Sequence, residues 1–367
     1  MTARIPKKRL ICLLVVAFLC AFSGRGQQPE SKALFPVEKD GKFGFIDRTG
    51  KVVIPLQFDS ANDFHEGLAL VTANRKTMFI DTAGKTLITP QFDIVNNFSE
   101  GLAPVNIGQK RIPNLGLISD PGKWGYIDKT GKLAIPLKFK HAENFSEGLA
   151  AVTDGDRGGF IDHSGKMIFE VPLDATLGFH EGMVGVLLRG TLTYFDRTGK
   201  QIPTVVDYGP KSNSFSEGVV PISTKGKWGF MDQTGKLVVG AQFEDAENFS
   251  EGLAPVKVSG ETIWCPRDDA GNRSGFTMRW GYIDKTGKLV IPAQFESAAP
   301  FSEGLAVIHN CKQAFFIDKT GKTIISGNIR YASSFSGGLA SVETMTKDGL
   351  LFSYIDKTGK VIWGPTK

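Results

Sequence analysis

The chain has 367 residues, of which 41% are hydrophobic, and 27 of them are Phe, so it has ample material for a buried core and is not a disordered chain. It carries 43 basic and 38 acidic residues. Five of the basic residues lie within residues 1–26, so the remainder carries 38 charges of each sign. This balance predicts no nucleic-acid partner.

The first 26 residues have the layout of a secretory signal peptide. Arg4, Lys7, Lys8 and Arg9 precede an apolar run from Leu10 to Phe22, and small residues follow it. We expect removal of residues 1–26, a short linker at 27–33, no membrane span afterwards, and export to the periplasm, cell surface or exterior. The exact cleavage site and lipidation of Cys20 stay open, as does an uncleaved anchor.

Residues 34–367 form a tandem array of about nine units, most of them 34 residues long. Units start near residues 34, 68, 102, 149, 183, 219, 253, 305 and 339. In each unit, an Asp-x-x-Gly motif follows an aromatic and an apolar residue. In most units a second motif, Phe-Ser-Glu-Gly or Phe-His-Glu-Gly, begins 17 residues after the Asp, and its Glu falls at Glu66, Glu100, Glu147, Glu181, Glu217, Glu251 and Glu303.

Each unit is predicted to be a short β meander. One strand covers Gly-Leu-Ala-Pro-Val, the next Trp-Gly-Tyr-Ile-Asp, and the third the apolar run after the Asp-x-x-Gly turn. A tail that ends at the Phe-Ser-Glu-Gly motif follows. An all-β fold is therefore expected. Because nine units exceed the usual four to eight blades of a propeller, an open solenoid or superhelix is favoured, with a β-propeller as the alternative.

The Asp-x-x-Gly motif suggests two kinds of chemistry that the repeat argues against. Asp128 in Asp-Lys-Thr-Gly resembles the phosphorylated Asp of ion-pumping ATPases, and Gly84-Lys85-Thr86 resembles the end of a P-loop. A catalytic Asp needs one special environment, and nine equivalent copies do not provide it. The motif is therefore interpreted as a hairpin turn in which Gly supplies a positive φ and Asp accepts backbone N–H bonds. The predicted turn residues are Asp47, Gly50, Asp81, Gly84, Asp128, Gly131, Asp162, Gly165, Asp196, Gly199, Asp232, Gly235, Asp284, Gly287, Asp318, Gly321, Asp356 and Gly359.

The two motifs together resemble the WG (KWG) repeat family of bacterial β-rich repeats. The name-giving pair is intact at Trp124-Gly125, Trp228-Gly229 and Trp280-Gly281, and the other units diverge there. The resemblance covers about residues 34–367. It implies a repeat scaffold, often exported, with no shared enzymatic activity.

Two cysteines remain after residue 26, and both fall in loops of variable length in consecutive units. If neighbouring units stack by translation, Cys265 and Cys311 come close together, and a disulfide is possible in an oxidising compartment. The longest such loops, Lys257–Arg279 and Ile107–Gly122, are the least repeat-like segments, so if a specific binding site exists it is expected there first.

The predicted function is a non-catalytic exported scaffold that binds an unknown protein or ligand in the cell envelope, with no cofactor and no metal. The alternative is a glycan- or peptidoglycan-binding protein that uses exposed Trp residues, and an enzyme is the third possibility. The Glu series predicts either a ladder for ligand binding or solvated edges with a turn cap, and the second is favoured.

Overall fold

The structure, a computed structural model, describes residues 33–111, 118–155, 157–172, 175–188, 191–203, 214–266, 271, 273–347 and 349–364. The predicted signal peptide and almost all of the linker lie outside these residues. Within the described residues every regular element is a strand, as expected from the all-β interpretation.

The strands form nine consecutive antiparallel sheets, here called blades. Blades 1 to 3 contain β1 (Phe35–Lys39), β2 (Lys42–Ile46) and β3 (Val52–Phe58); β4 (Ser60–His65), β5 (Leu68–Ala73), β6 (Lys76–Asp81) and β7 (Thr86–Ile88); and β8 (Ile94–Val95), β9 (Leu102–Ile107), β12 (Lys123–Asp128) and β13 (Leu133–Phe139). In blade 3 the loop between β9 and β12 carries a further small pair, β10 (Lys110–Arg111) and β11 (Ile118–Asp120).

Blade 4 has four strands, and blades 5 and 6 have three strands each among the described residues; in blade 5 the fourth position forms only the isolated bridge Phe195–Gln201. They contain β14 (His141–Ala142), β15 (Ala150–Asp154), β16 (Arg157–Ile161) and β17 (Met167–Glu170); β18 (Ala175–His180), β19 (Met183–Leu188) and β20 (Thr191–Asp196); and β21 (Val219–Thr224), β22 (Lys227–Asp232) and β23 (Leu237–Phe243).

Blades 7 to 9 each have four strands. They contain β24 (Asp245–Ala246), β25 (Ala254–Trp264), β26 (Gly275–Ile283) and β27 (Leu289–Phe295); β28 (Ser297–Ala298), β29 (Ala306–Asn310), β30 (Gln313–Ile317) and β31 (Thr323–Ile325); and β32 (Ile329–Ala332), β33 (Leu339–Thr346), β34 (Gly349–Asp356) and β35 (Val361–Trp363).

The segment that the sequence analysis places as the tail of one unit forms the first strand of the next blade. In blade 4, for example, His141 and Ala142 pair with Thr153 and Val152 of the second strand. Because consecutive strands are antiparallel, the Phe-Ser-Glu-Gly and Asp-x-x-Gly turns lie at one end of each blade, the turn face. The loops between second and third strands lie at the opposite end, the loop face.

The core lies between blades and is built from aromatic pairs. The third strand is buried on both faces, as Tyr126 and Ile127 show. Its aromatic side chain packs against the Phe at the start of the turn that leads into the next blade's second strand, with ring centroids 4.7 to 5.4 Å apart. The eight pairs are Phe45–Phe64, Phe79–Phe98, Tyr126–Phe145, Phe160–Phe179, Tyr194–Phe215, Phe230–Phe249, Tyr282–Phe301 and Phe316–Phe335.

A ninth aromatic pair joins the two ends of the array. Tyr354 of blade 9 packs against Phe35 of blade 1 with ring centroids 5.7 Å apart. The Tyr354 hydroxyl also donates a hydrogen bond to the Pro36 carbonyl oxygen at 3.1 Å. The first blade therefore packs on the last, and the nine sheets form a closed ring.

A second set of contacts between neighbouring blades also joins blade 1 to blade 9. The Gly of each Asp-x-x-Gly turn lies against the fourth strand of the preceding blade, for example Gly131 against Ile88 and Gly165 against Ile135. In blade 1, Gly50 lies against Ile362, which belongs to blade 9. The open solenoid favoured from the sequence is wrong, and the alternative, a β-propeller, is confirmed.

Candidate functional site

The carboxylate of each repeated Asp is used by its own turn. In blade 3, Asp128 Oδ1 accepts hydrogen bonds from the Thr130 hydroxyl at 2.6 Å, the Thr130 N–H at 2.8 Å and the Lys132 N–H at 3.2 Å. The Thr130 hydroxyl is the main reason that the pKa of Asp128 lies below its usual value. A carboxylate held ionised in this way is poorly suited to receive a proton, so the geometry supports a turn role.

The same arrangement recurs around the ring. A Thr or Ser hydroxyl donates to the Asp two positions before it in eight blades, at Asp47, Asp128, Asp162, Asp196, Asp232, Asp284, Asp318 and Asp356. At Asp81 the corresponding residue is Ala83, and the carboxylate accepts only from the N–H groups of Ala83 and Lys85. No one of these turns is distinguished as a reaction centre.

The Glu of the Phe-Ser-Glu-Gly turn joins neighbouring blades. The turn is a two-residue hairpin in which both residues have positive φ, as at Glu100 (53°) and Gly101 (83°). Glu147 lies in blade 4, and its carboxylate accepts from the N–H groups of Glu181 and Gly182 in blade 5, both at 2.6 Å. The positive φ of a Glu is costly, and contacts of this kind offset that cost.

A basic side chain completes this contact in several blades. Glu66 accepts from the Gly101 N–H at 3.0 Å and pairs with Lys129 at 3.2 Å, and both of those residues belong to blade 3. The Lys285–Glu217, Lys319–Glu251 and Lys357–Glu303 pairs repeat it at 3.0 to 3.2 Å. The Glu series therefore forms a belt of contacts between blades on the turn face, which leaves it little free to bind a ligand.

The loop face contains the segment that differs most from the repeat. In blade 7, β25 and β26 extend into a long hairpin, the insert hairpin (residues 257–279). Cys265 of this hairpin forms a disulfide with Cys311, which lies in the short loop between β29 and β30 of blade 8, and their Cα atoms are 5.4 Å apart. The disulfide holds the end of the insert hairpin against the neighbouring blade.

The insert hairpin carries the most exposed tryptophan among the described residues. Trp264 is 54% exposed, whereas Trp124, Trp228 and Trp280 are each 7% exposed and belong to the core. The Arg273 guanidinium lies 5.1 Å from the Trp264 ring centroid. An exposed indole with a stacked guanidinium can bind another ring, a sugar face or a carboxylate.

The other long loop, at residues 107–122, lies on the same face of blade 3. Residues 112–117 of it lie outside the described part of the chain. Asn106 is fully buried beneath this loop, and its Nδ2 donates to the Pro121 carbonyl oxygen at 2.9 Å. This contact fixes the base of the loop.

The histidines lie apart from one another, and their pKa values shift in different directions. The Glu143 carboxylate accepts a hydrogen bond from His141 Nε2 at 2.6 Å, and this contact raises the pKa of His141. Burial lowers the pKa of both His180 and His309. His163 stacks on Phe145 with ring centroids 4.3 Å apart and lies 3.3 Å from Glu100. The contacts of His141 and His163 are therefore with side chains of their own blade or of the preceding one.

Within the described residues no group of three or more His, Cys, Asp or Glu side chains could bind a metal ion. The described part of the chain also contains no helix of sufficient length and apolarity to cross a membrane.

Solved structures with a similar backbone are distant in sequence. Dipeptidyl peptidase 4 from Porphyromonas gingivalis is 8% identical with a TM-score of 0.49, over 94% of this chain and 60% of that one. Dihydro-heme d1 dehydrogenase NirN is 12% identical with a TM-score of 0.45, over 93% of this chain and 74% of that one. The tricorn protease is 15% identical with a TM-score of 0.28, over 82% of this chain, which spans 34% of that protein. These likenesses carry no conclusion about activity.

A comparison with curated proteins gave no match. The family model described as "WG containing repeat" matches seven segments, which together exceed half of the chain, at residues 43–76, 78–110, 124–157, 159–191, 228–261, 280–308 and 315–344. The chain therefore belongs to the WG repeat family.

Proposed function

We propose that this protein is a non-catalytic, exported scaffold that binds a protein partner in the cell envelope through the insert hairpin. The observation that carries the proposal is the exposed Trp264, stacked by Arg273 on a hairpin that a disulfide fixes to the next blade. An exposed aromatic residue with an Arg is typical of binding hot spots. A fixed hairpin loses little conformational entropy when a partner binds.

Two features support the export part of the proposal. Residues 1–26 have the pattern of a signal peptide, and Cys265 is paired with Cys311. Disulfides persist in oxidising compartments outside the cytosol. The non-catalytic part is supported by the use of the repeated Asp and Glu carboxylates within turns and between blades.

A second candidate function is binding of a glycan, including peptidoglycan, and the same Trp264 indole favours it. Indole faces stack on the apolar faces of sugar rings, and the Arg273 guanidinium can donate hydrogen bonds to an acidic group of the polymer. The two candidates therefore use one surface and differ in the chemistry of the partner.

Loss of Trp264 is expected to reduce partner capture by about tenfold or more, as is typical for a hot-spot residue. The experiment immobilises wild-type protein and the Trp264→Ala variant, exposes them to an envelope fraction, and quantifies the retained proteins by mass spectrometry. Leu237→Ala, which removes an exposed apolar side chain of blade 6, is the matched control and should retain what wild type retains.

A titration with soluble peptidoglycan fragments, followed by Trp fluorescence, separates the two candidates. If the fragments quench the Trp fluorescence of wild type but not that of Trp264→Ala, the surface binds a glycan. If the fragments do not change the fluorescence of wild type, the surface is assigned to a protein partner. Equal capture by wild type and Trp264→Ala, or turnover of a substrate that survives in Trp264→Ala, would overturn the proposal.

A further inference from the structure

The outer edge of blade 6 differs from its counterparts in other blades at one residue. The fourth strand is the last strand of its sheet, so one of its edges has no neighbouring strand in that sheet. Four blades have a fourth strand of seven residues, namely β3, β13, β23 and β27. The middle residue of β23 is Gly240, whereas the other three strands have a proline there, at Pro55, Pro136 and Pro292.

A proline at this position prevents an incoming strand from pairing with the edge. It has no N–H group to donate, and a strand tolerates it where its nitrogen faces away from the neighbouring strand. The third and fourth strands pair in the same register in all four blades. Because blade 3 makes this pairing with Pro136, blade 6 does not need the Gly240 N–H for it. The Gly240 N–H can therefore donate across the outer edge.

The surroundings of Gly240 leave room for a second strand. Gly240 is exposed, and an added Cβ there meets no atom within 4 Å. Val238, two residues before it, is 44% exposed. The chain is described without a gap from residue 214 to residue 266, and β22 is the one strand of the sheet that pairs with β23. Its other edge therefore faces outward from the ring.

The ends of β23 are complementary in charge to a second copy of the same strand. Lys236 precedes the strand and Glu244 follows it, each four residues from Gly240. In an antiparallel pair of two such strands centred on Gly240, Lys236 of each copy lies opposite Glu244 of the other. Glu244 Oε1 accepts from Lys227 Nζ and Ser259 Oγ, both at 2.7 Å, and no described residue donates to Oε2. That oxygen can accept a hydrogen bond from the second copy's lysine.

Blades 1 and 7 show that flanking charges alone do not distinguish β23. Lys51 and Asp59 flank β3, and Lys288 and Glu296 flank β27, at the same spacing, but both strands have a proline at their centre. Among the four seven-residue strands, β23 alone combines flanking charges of opposite sign with an N–H group at its centre.

We propose that β23 pairs edge to edge with β23 of a second copy of this chain, forming an antiparallel homodimer with its two-fold axis at Gly240. The Gly240 N–H of each copy donates to the Gly240 carbonyl oxygen of the other, and Val238 lies opposite Gln242. One strand per subunit buries less area than a standard interface, so the dimer forms at high protein concentration and a dilute solution contains the single ring. This surface is separate from the insert hairpin.

Sedimentation velocity over a series of protein concentrations tests the pairing. Wild type should show a dimer fraction that grows with concentration. Gly240→Pro removes the N–H but gives blade 6 the residue that blades 1, 3 and 7 carry, so it should fold with a Tm at or above that of wild type and stay monomeric. Gly240→Ala keeps the N–H and should dimerise like wild type. Lys236→Glu places two carboxylates opposite each other at both ends and should weaken dimerisation by about tenfold.

Gly240→Cys identifies the occupant of the edge. Opposite Cα atoms of a hydrogen-bonded antiparallel pair lie about 5.5 Å apart, within reach of a disulfide, so mild oxidation should join two copies through residue 240. Ala134→Cys, on the exposed edge strand of blade 3, is the control and should not join copies. A wild type that stays monomeric at every concentration, a Gly240→Pro variant that dimerises equally well, or a residue 240 that crosslinks within its own chain would each overturn the proposal.

Discussion

Replacing Gly125 by alanine is expected to lower the free energy of unfolding by about 2–3 kcal/mol. The backbone of the fourth strand lies directly over Gly125, so an added Cβ would lie 2.6 Å from the Ile135 carbonyl oxygen and 2.9 Å from the Leu137 nitrogen. Both atoms are backbone, so the strand itself must move. That movement would also displace Phe139, which covers Trp124.

Gly240→Ala is the control, measured beside Gly125→Ala by denaturant unfolding. Gly240 also lies in a strand, β23, and an added Cβ there meets no atom within 4 Å. It should change stability by no more than about 0.5 kcal/mol. If the two variants unfold at the same midpoint, the Gly of the Trp-Gly pair is not required by the strand that crosses it.

Replacing Phe35 by alanine is expected to lower the free energy of unfolding by about 2–3 kcal/mol, less than for a fully buried Phe because this ring is half-buried. The side chain fills the ninth aromatic pair and contacts Tyr354, more than 300 residues along the chain. The loss should therefore destabilise blade 9 as well as blade 1. Hydrogen exchange followed by mass spectrometry is expected to show faster exchange in residues 349–356.

Tyr331→Ala removes another aromatic ring from blade 9, but an exposed one, and serves as the comparison. Its effect on stability should stay within about 0.5 kcal/mol. Unchanged exchange in β34 of Phe35→Ala would mean that blades 1 and 9 do not support each other.

The turns and the buried third strand could be predicted from the sequence because local interactions determine them. Asp128, Thr130 and Gly131 satisfy one another within five residues, and nine copies make the pattern visible. The aromatic and apolar residues before each Asp indicate a strand covered on both sides, and Tyr126 and Ile127 are fully buried.

Closure of the ring could not be predicted, because the closing residue does not follow the repeat. Phe35 lies opposite Ile46, where other blades have the small Ala69 opposite Ile80 or Ala103 opposite Ile127. A comparison of units therefore shows no ninth Phe at the position that the eight others occupy before the second strand, and the array looks open at one end. Only the three-dimensional approach of Tyr354 reveals that Phe35 fills this role.

Small-angle X-ray scattering of the protein without residues 1–26 tests the closed ring most directly. A ring of nine blades predicts a radius of gyration of about 20 Å, as for other compact chains of this length. An open array, with nine sheets stacked about 10 Å apart, would instead give an elongated particle about 90 Å long, and that result would contradict the account.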